Sequence, residues 1–457
     1  MTSSAPGSTP AAEPAVPDRR TVSTTTATAI AIADMIGIGV FTSLGFQLAA
    51  IPSGFSILML WIVGGAAALC GALAYAELAV AFPRSGGEYN FLSRIYHPAL
   101  GFMAGWISAT VGFAAPVALA AMAFGEYFAG VVPGAPPLFV GLAVAWAVTL
   151  ILLSGAKLST TFQNVSTLIK VALIAVFIIA GFSVPEPQPI SFLPQPGDIG
   201  HILSAPFAVS LVFVMYSYSG WNAATYIAGD VRTPERSIPV AMLVATLIVV
   251  LLYVLLNAVF LYTTPMAAMT GQLNVAQVAG EHIFGATGGR IVAGLICVGL
   301  VSAISAMMWI GPRVTVAMGE DFPLLSLFSQ RSRSGVPTIA LLFQISVVTV
   351  LLLTQSFETV LEFIQFSLTL CSFLAVLGVI VLRVTQPGLP RPYRVWAYPL
   401  TPFVFLGVTG FMMYYLFSER PLQSLASLGL MASGLVLFFL SKRDFVRGEA
   451  LQRAVKG

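Results

Sequence analysis

The chain has 457 residues, of which 58% are hydrophobic and 9% charged, with a mean hydropathy of +0.92; soluble domains carry about 25% charged residues. So few charges cannot coat a water-soluble surface of this length, and a net charge of +3 is too small to point to nucleic acid. Most of the chain is expected to have lipid as its solvent. Cys70, Cys297 and Cys371 lie in apolar stretches without metal or redox spacing. His97, His201 and His282 read as loop residues. A metal, haem or nucleophile centre is therefore unsupported, no cofactor is implied, and an enzyme is not expected.

Residues 1–20, rich in Ser, Pro and Ala, read as a disordered tail rather than a secretory leader, since no short apolar core with a cleavage site precedes the first long span. About 20 apolar helical residues cross a bilayer core of about 30 Å. Stretches of that length fall near 24–50, 55–80, 98–129, 136–154, 159–182, 203–228, 239–262, 288–318, 337–355, 359–383, 399–417 and 421–441. The expected fold is all-α integral membrane with twelve transmembrane helices; the alternating strands of a β-barrel are absent from the sequence. Of the 21 Lys and Arg, all but Arg290, Arg420 and Lys170 fall in the N-terminal tail or on the same side of the spans as it. Lys170 lies inside the fifth span. That bias predicts cytoplasmic termini and an even span count in the inner (cytoplasmic) membrane.

Two spans are interrupted. Residues 31–41, AIADMIGIGVF, put Gly37 and Gly39 near mid-membrane in the first span, and residues 216–222, YSYSGWN, put a polar, glycine-bearing patch at the middle of the sixth. Such glycines serve close helix packing or allow unwinding that frees backbone groups for a cavity. Paired interruptions in corresponding segments are the sequence pointer to a transporter's central site.

These two stretches, with PRSGGEY at 83–89 and GDVRTPERSIP at 229–239, resemble the amino acid–polyamine–organocation superfamily, nearest its L-type amino acid transporter branch. The resemblance spans the chain. It implies the five-plus-five inverted repeat of the leucine transporter, with repeats at 21–182 and 203–383, two further helices at 399–441 and a cytoplasmic tail at 442–457. The implied function is secondary active transport of L-amino acids, by sodium-independent exchange or proton-coupled uptake.

The family's usual Gly-Ser-Gly is Gly37-Ile38-Gly39 here, so a hydroxyl is lost. Backbone recognition should survive. The resemblance implies a substrate carboxylate on the amides of Ile38, Gly39 and Val40, aided by the N-terminus of the half-helix that follows. It implies the substrate ammonium on freed carbonyls of Tyr216, Ser217 and Ser219 and a carbonyl of the first span, such as that of Ile36. Donors on one broken helix and acceptors on the other suit a zwitterion, and few ionisable groups at mid-depth favour a neutral side chain. Tyr216 reads as an aromatic gate or as packing. Asn222 reads as a bond across to the first span or as a substrate contact. The role of the neighbouring Trp221 stays open.

Lys170 is too deep for easy snorkelling. The resemblance implies that its ammonium occupies the place of a coupling sodium, bridging the carbonyls of Ala33 and Ile36 to Ser302 or Ser305 of the eighth span. Asp34 has three open readings: a hydrogen-bonded or protonated carboxyl, an ion pair with Lys170, or a proton-coupling group. Glu77 is expected to bond the first inner loop, and Glu126 and Glu362 to be solvated. The expected partners are an amino acid, the bilayer and protons. Animal relatives are disulfide-linked to an accessory chain through the outer loop after the third span; residues 130–137 hold no cysteine, so no such subunit is expected. A membrane sensor or channel is the alternative, although neither a signalling domain nor a polar pore lining is evident.

Overall fold

The computed structural model describes residues 22–82, 87–155, 160–228, 231–332 and 335–456. The expectations made for the tail at 1–20, for residues 83–86, and for Lys157, Asp230 and Arg333 lie outside these. So do the side chains of the basic residues beyond Ser441.

Among the described residues the regular elements are all helices, with no strand and a single isolated bridge between Val22 and Val231. Helices α1 (Thr24–Met35) and α2 (Gly39–Leu48) share the first span, followed by α3 (Gly54–Ala81) and α4 (Gly87–Ile95). Helix α5 (Pro98–Ile107) continues through a π turn, Ser108–Gly112, into α6 (Ala114–Val131). The turn lies one helical turn before Pro116, whose missing N–H and ring displace the regular ladder there. Then come α7 (Pro137–Leu153), α8 (Thr160–Gly181), α9 (Asp198–Ile202), α10 (Ala205–Ser217), α11 (Ala223–Tyr226) and α12 (Pro234–Thr263). The remainder is α13 (Met266–Met269), α14 (Val275–Asp321), α15 (Thr338–Leu353), α16 (Phe357–Thr385), α17 (Leu400–Glu419) and α18 (Pro421–Lys456).

Among the described residues, nine helical segments are long and apolar enough to cross a membrane, and Pro137–Leu153, Ala205–Ser217 and Thr338–Leu353 are shorter apolar helices. Every apolar stretch picked out by length is helical. The eighth begins earlier than expected: α14 starts at Val275 and turns at Gly285, whose φ of 76° breaks its run. His282 therefore sits in a helix, not a loop, and His201 lies within α9; His97 caps α5.

Span starts are written in serines. Ser23, Ser53, Ser204 and Ser356 each precede a helix, and each hydroxyl accepts the amide three residues on. Each such cap is worth about 1 kcal/mol. Asp198 reinforces one of them, accepting from the hydroxyls of Ser53 (2.6 Å) and Ser56 (3.0 Å) and the amide of Gln195 (2.6 Å). These bonds, the Ser53 hydroxyl first, hold its carboxyl below the usual carboxylate range.

Two acidic residues behave differently from expectation. Glu77 pairs with Arg383, at 2.6 and 3.1 Å to its two oxygens, stands 3.5 Å from Arg391, and accepts the amide of Val395 at 2.7 Å. It thus ties α3 to the end of α16 and the loop beyond, partners other than the first inner loop expected for it. A carboxylate buried this fully needs paired charge and donors to stay ionised, and a sequence does not show which arginines the fold delivers. Glu362 is buried and paired with Arg420 at 2.9 Å rather than solvated. Glu126 is exposed, as expected.

Candidate functional site

The first span unwinds between Met35 and Gly39. Ile36 closes α1 with ψ 77°, and α2 restarts with Gly39. The amides of Ile38, Gly39 and Val40 have no backbone partner among the described residues, because the three carbonyls a continuous helix would offer have turned away. Two of those carbonyls, of Met35 and Ile36, are held elsewhere, and so is one within α2. Ile36 O accepts Lys170 Nζ at 2.6 Å, Met35 O accepts the hydroxyl of Tyr253 at 2.7 Å, and Phe41 O that of Tyr127 at 2.8 Å.

The sixth span unwinds between α10 and α11. Tyr218 and Ser219 cap α10 with amides turned back to Val214 O and Tyr216 O, and Gly220 adopts φ 99°. The carbonyls of Ser217 and Ser219 take no backbone amide. That of Tyr216 does, from Ser219 at 3.0 Å, so it is not fully freed as expected. The two breaks touch. A Cβ on Gly39 would stand 2.5 Å from Ser217 Oγ and 2.7 Å from its Cα; one on Gly220 would meet Asp34 Oδ2 at 2.7 Å. Close packing and unwinding are therefore both true of this glycine motif, but at different residues: a Cβ on Gly37 would meet nothing nearer than Met35 O at 3.9 Å.

Lys170, from α8, does not reach Ser302 or Ser305. Ser302 donates to Gln163 Oε1 at 2.5 Å, and Ser305 is buried without a bond to the ammonium. The link to α14 is apolar: the lysine stem lies against Gly299, where a Cβ would stand 3.1 Å from Cγ. Of the carbonyls in α1, Ile36 O is the one bonded; Ala33 O is not. A small cavity lies beside this lysine, lined by Gly37, Ile38, Phe41, Leu173 and Leu295.

Asp34 makes neither a hydrogen bond nor a salt bridge to Lys170, whose ammonium is on Ile36 O. Asp34, Ser219 and Tyr226 are exposed at or beside the breaks and mark an open mouth beside α1 and α11. The mouth faces the end where α1 begins. Toward the other end the site is shut. Ser43 and Ser217 hydroxyls meet at 3.0 Å, and Phe46 is stacked between Phe213 (5.2 Å) and Phe357 (5.6 Å). Tyr216 is buried there without a polar partner. Asn222 does not cross to the first span: its amide donates to Glu88 Oε1 at 3.1 Å.

Sequence reasoning overlooked Glu88, Tyr127 and Tyr253. Glu88 stood in a recognised motif, and hydroxyl-bearing rings inside apolar spans need partners, so both signals were present. Tyr253 also stacks on Tyr218 at 5.3 Å and packs edge-on to Trp61, whose indole donates to Gln47.

Two apposed interrupted helices in an all-helical, lipid-suited bundle define a multi-pass membrane transporter. The chain belongs to the amino acid permease family, whose pattern matches residues 22–440. It is similar to a serine/threonine exchanger of Bacillus subtilis, 26% identical over 84% of this chain and 88% of that one. It is also similar to the mouse b(0,+)-type amino acid transporter 1, 27% identical over 90% and 85% of the two chains. The mouse large neutral amino acids transporter small subunit 2 is 27% identical over 92% and 81%. Family and relatives are transporters rather than enzymes, and amino acid transport is the shared activity.

Proposed function

We propose that this protein exchanges neutral L-amino acids across the cytoplasmic membrane by alternating access, without sodium, holding its substrate between the two breaks. The fold is read as twelve membrane helices in two inverted sets of five plus a final pair, with both termini cytoplasmic. One observation carries the substrate class. The unpartnered amides of Ile38, Gly39 and Val40 stand on one break, and the unpartnered carbonyls of Ser217 and Ser219 on the other. A carboxylate satisfies the first set and an ammonium the second; neutral solutes need only one. Exchange is favoured by the relative named for it.

Sodium independence follows from Lys170. Its ammonium sits on Ile36 O, a tethered cation where a diffusible one would otherwise neutralise the unwound backbone. Proton-coupled uptake is the second reading, favoured by Asp34, an unpaired carboxylate at the open mouth. Asp34 and Lys170 are then the pair through which protons act.

Counterflow in proteoliposomes with a panel of L-amino acids tests this. The expected result is accelerated uptake of neutral amino acids into preloaded vesicles, unchanged when choline replaces Na⁺. Uptake driven by an imposed pH gradient would select the proton-coupled form. Binding without flux would overturn transport in favour of a sensor, and strict sodium dependence would remove Lys170 from its role.

A further inference from the structure

The best-connected polar group beside the site is one the transport reading leaves unused. Glu88, in α4, accepts three bonds from two separate segments, α3 and the stretch that holds α11. Its Oε1 takes the hydroxyl of Tyr75 in α3 at 2.9 Å and the amide of Asn222 at 3.1 Å, and its Oε2 takes the hydroxyl of Tyr226 in α11 at 2.7 Å. The apolar surroundings converge on the same point. Trp221 lies edge-on to Tyr75 at 4.7 Å, and Gly87 approaches Tyr226 so closely that a Cβ would stand 2.4 Å from its ring.

Helix α11 is four residues long. A helix of that length has no stability of its own, since even about 12 residues are marginal in isolation. Its position, and that of the break before it, must come from tertiary contacts. Glu88 supplies an anionic one at Asn222, immediately after the break, and another at Tyr226, the last residue of α11.

We propose that Glu88 is a positioning residue for substrate recognition, fixing residues 218–226 so that the carbonyls of Ser217 and Ser219 face the free amides of the first span. The inference rests on the amino acid reading above. Glu88 touches no substrate; it acts through Asn222 and Tyr226. A carboxylate serves this place because it is acceptor-only and can take all three donors at once. An amide of the same shape offers a single acceptor oxygen and turns an N–H₂ toward a donor, and charge-assisted bonds are about twice as strong as neutral ones.

Saturation kinetics in proteoliposomes separate the possibilities, using radiolabelled L-serine or whichever panel member the wild type takes up fastest. Glu88→Gln is expected to raise KM about tenfold, the equivalent of losing part of one charge-assisted bond, while Vmax stays within about twofold. Glu88→Asp, which keeps the charge, is expected to restore KM to within about threefold of the wild type. Tyr226→Phe, which removes one donor of three, should fall between them. An unchanged KM in Glu88→Gln, or a loss confined to Vmax, overturns the proposal. So does a Glu88→Asp variant no better than Glu88→Gln. Should Glu88→Gln fail to elute as a single species in detergent, Tyr226→Phe and Tyr75→Phe carry the same test, and unchanged KM in both is the overturning result. A wild type that moves no amino acid removes the parent reading and this inference together.

Discussion

The two breaks are braced in opposite ways. The first is held through its backbone: Lys170, Tyr253 and Tyr127, from three different helices, each donate to a carbonyl of α1, α2 or the link between them. The second is held through side chains, with Asn222 and Tyr226 donating to Glu88 and the Tyr218 hydroxyl donating to Trp61 O at 3.1 Å. Each scheme spares a different set of groups. Occupying carbonyls in the first break leaves its amides free; anchoring side chains in the second leaves its carbonyls free. A zwitterion needs one of each, so on the amino acid reading proposed above the asymmetry of the bracing makes the pair of breaks complementary to it.

The largest effect expected from upsetting this comparison is at Lys170. Lys170→Ala strips the buried Ile36 carbonyl of a charged donor, and such bonds are worth about 1.5–3 kcal/mol. Uptake should fall on the order of 100-fold, while the variant elutes and melts as a folded protein. A fully active variant would show that the first break needs no cation. The glycines come next. Gly39→Ala drives a methyl into the Cα of Ser217, so the breaks must separate, and substrate affinity measured by binding should drop at least about tenfold. Gly37→Ala enters open space and should stay within about threefold. Equal damage at both glycines would mean that flexibility, not apposition, is what the motif supplies. A smaller effect than at Lys170 or Gly39 is expected at Tyr253. In Tyr253→Phe the Met35 carbonyl keeps the amide of Gly37 at 2.8 Å, so about 1 kcal/mol is lost. Uptake should fall about fivefold.

The apolar helices, the two breaks and the place of Lys170 within a helix were all legible in the sequence, because each depends on local composition: apolar length, and glycine where backbone unwinds. Partners were not. That Lys170 lies on Gly299 instead of Ser302, that Asn222 turns to Glu88 instead of the first span, and that Glu77 meets Arg383 are facts of packing between segments far apart in the chain. Their residue types announce a need for a partner, but several candidates satisfy it equally well on paper. Glu362 shows the same limit, since a helix-end carboxylate looks solvated until Arg420 is brought over it. Family resemblance supplied the site's outline, and the geometry then reassigned the bonds inside it.

Under the alternating access proposed above, Phe46, held between Phe213 and Phe357, has a consequence for how the two membrane faces share the protein's time. Opening the site on that side requires both stacked contacts to part. At about 0.5–1.5 kcal/mol per aromatic pair, the sandwich biases the closed arrangement by about 5- to 150-fold. A solute arriving from that side meets a receptive molecule only in the remaining fraction, and its apparent affinity is weaker by the same factor. One arriving through the mouth beside Asp34 bears no such handicap. The protein would therefore be thermodynamically lopsided before any gradient is applied, with half-saturation differing between its two faces by an amount that three phenylalanines set.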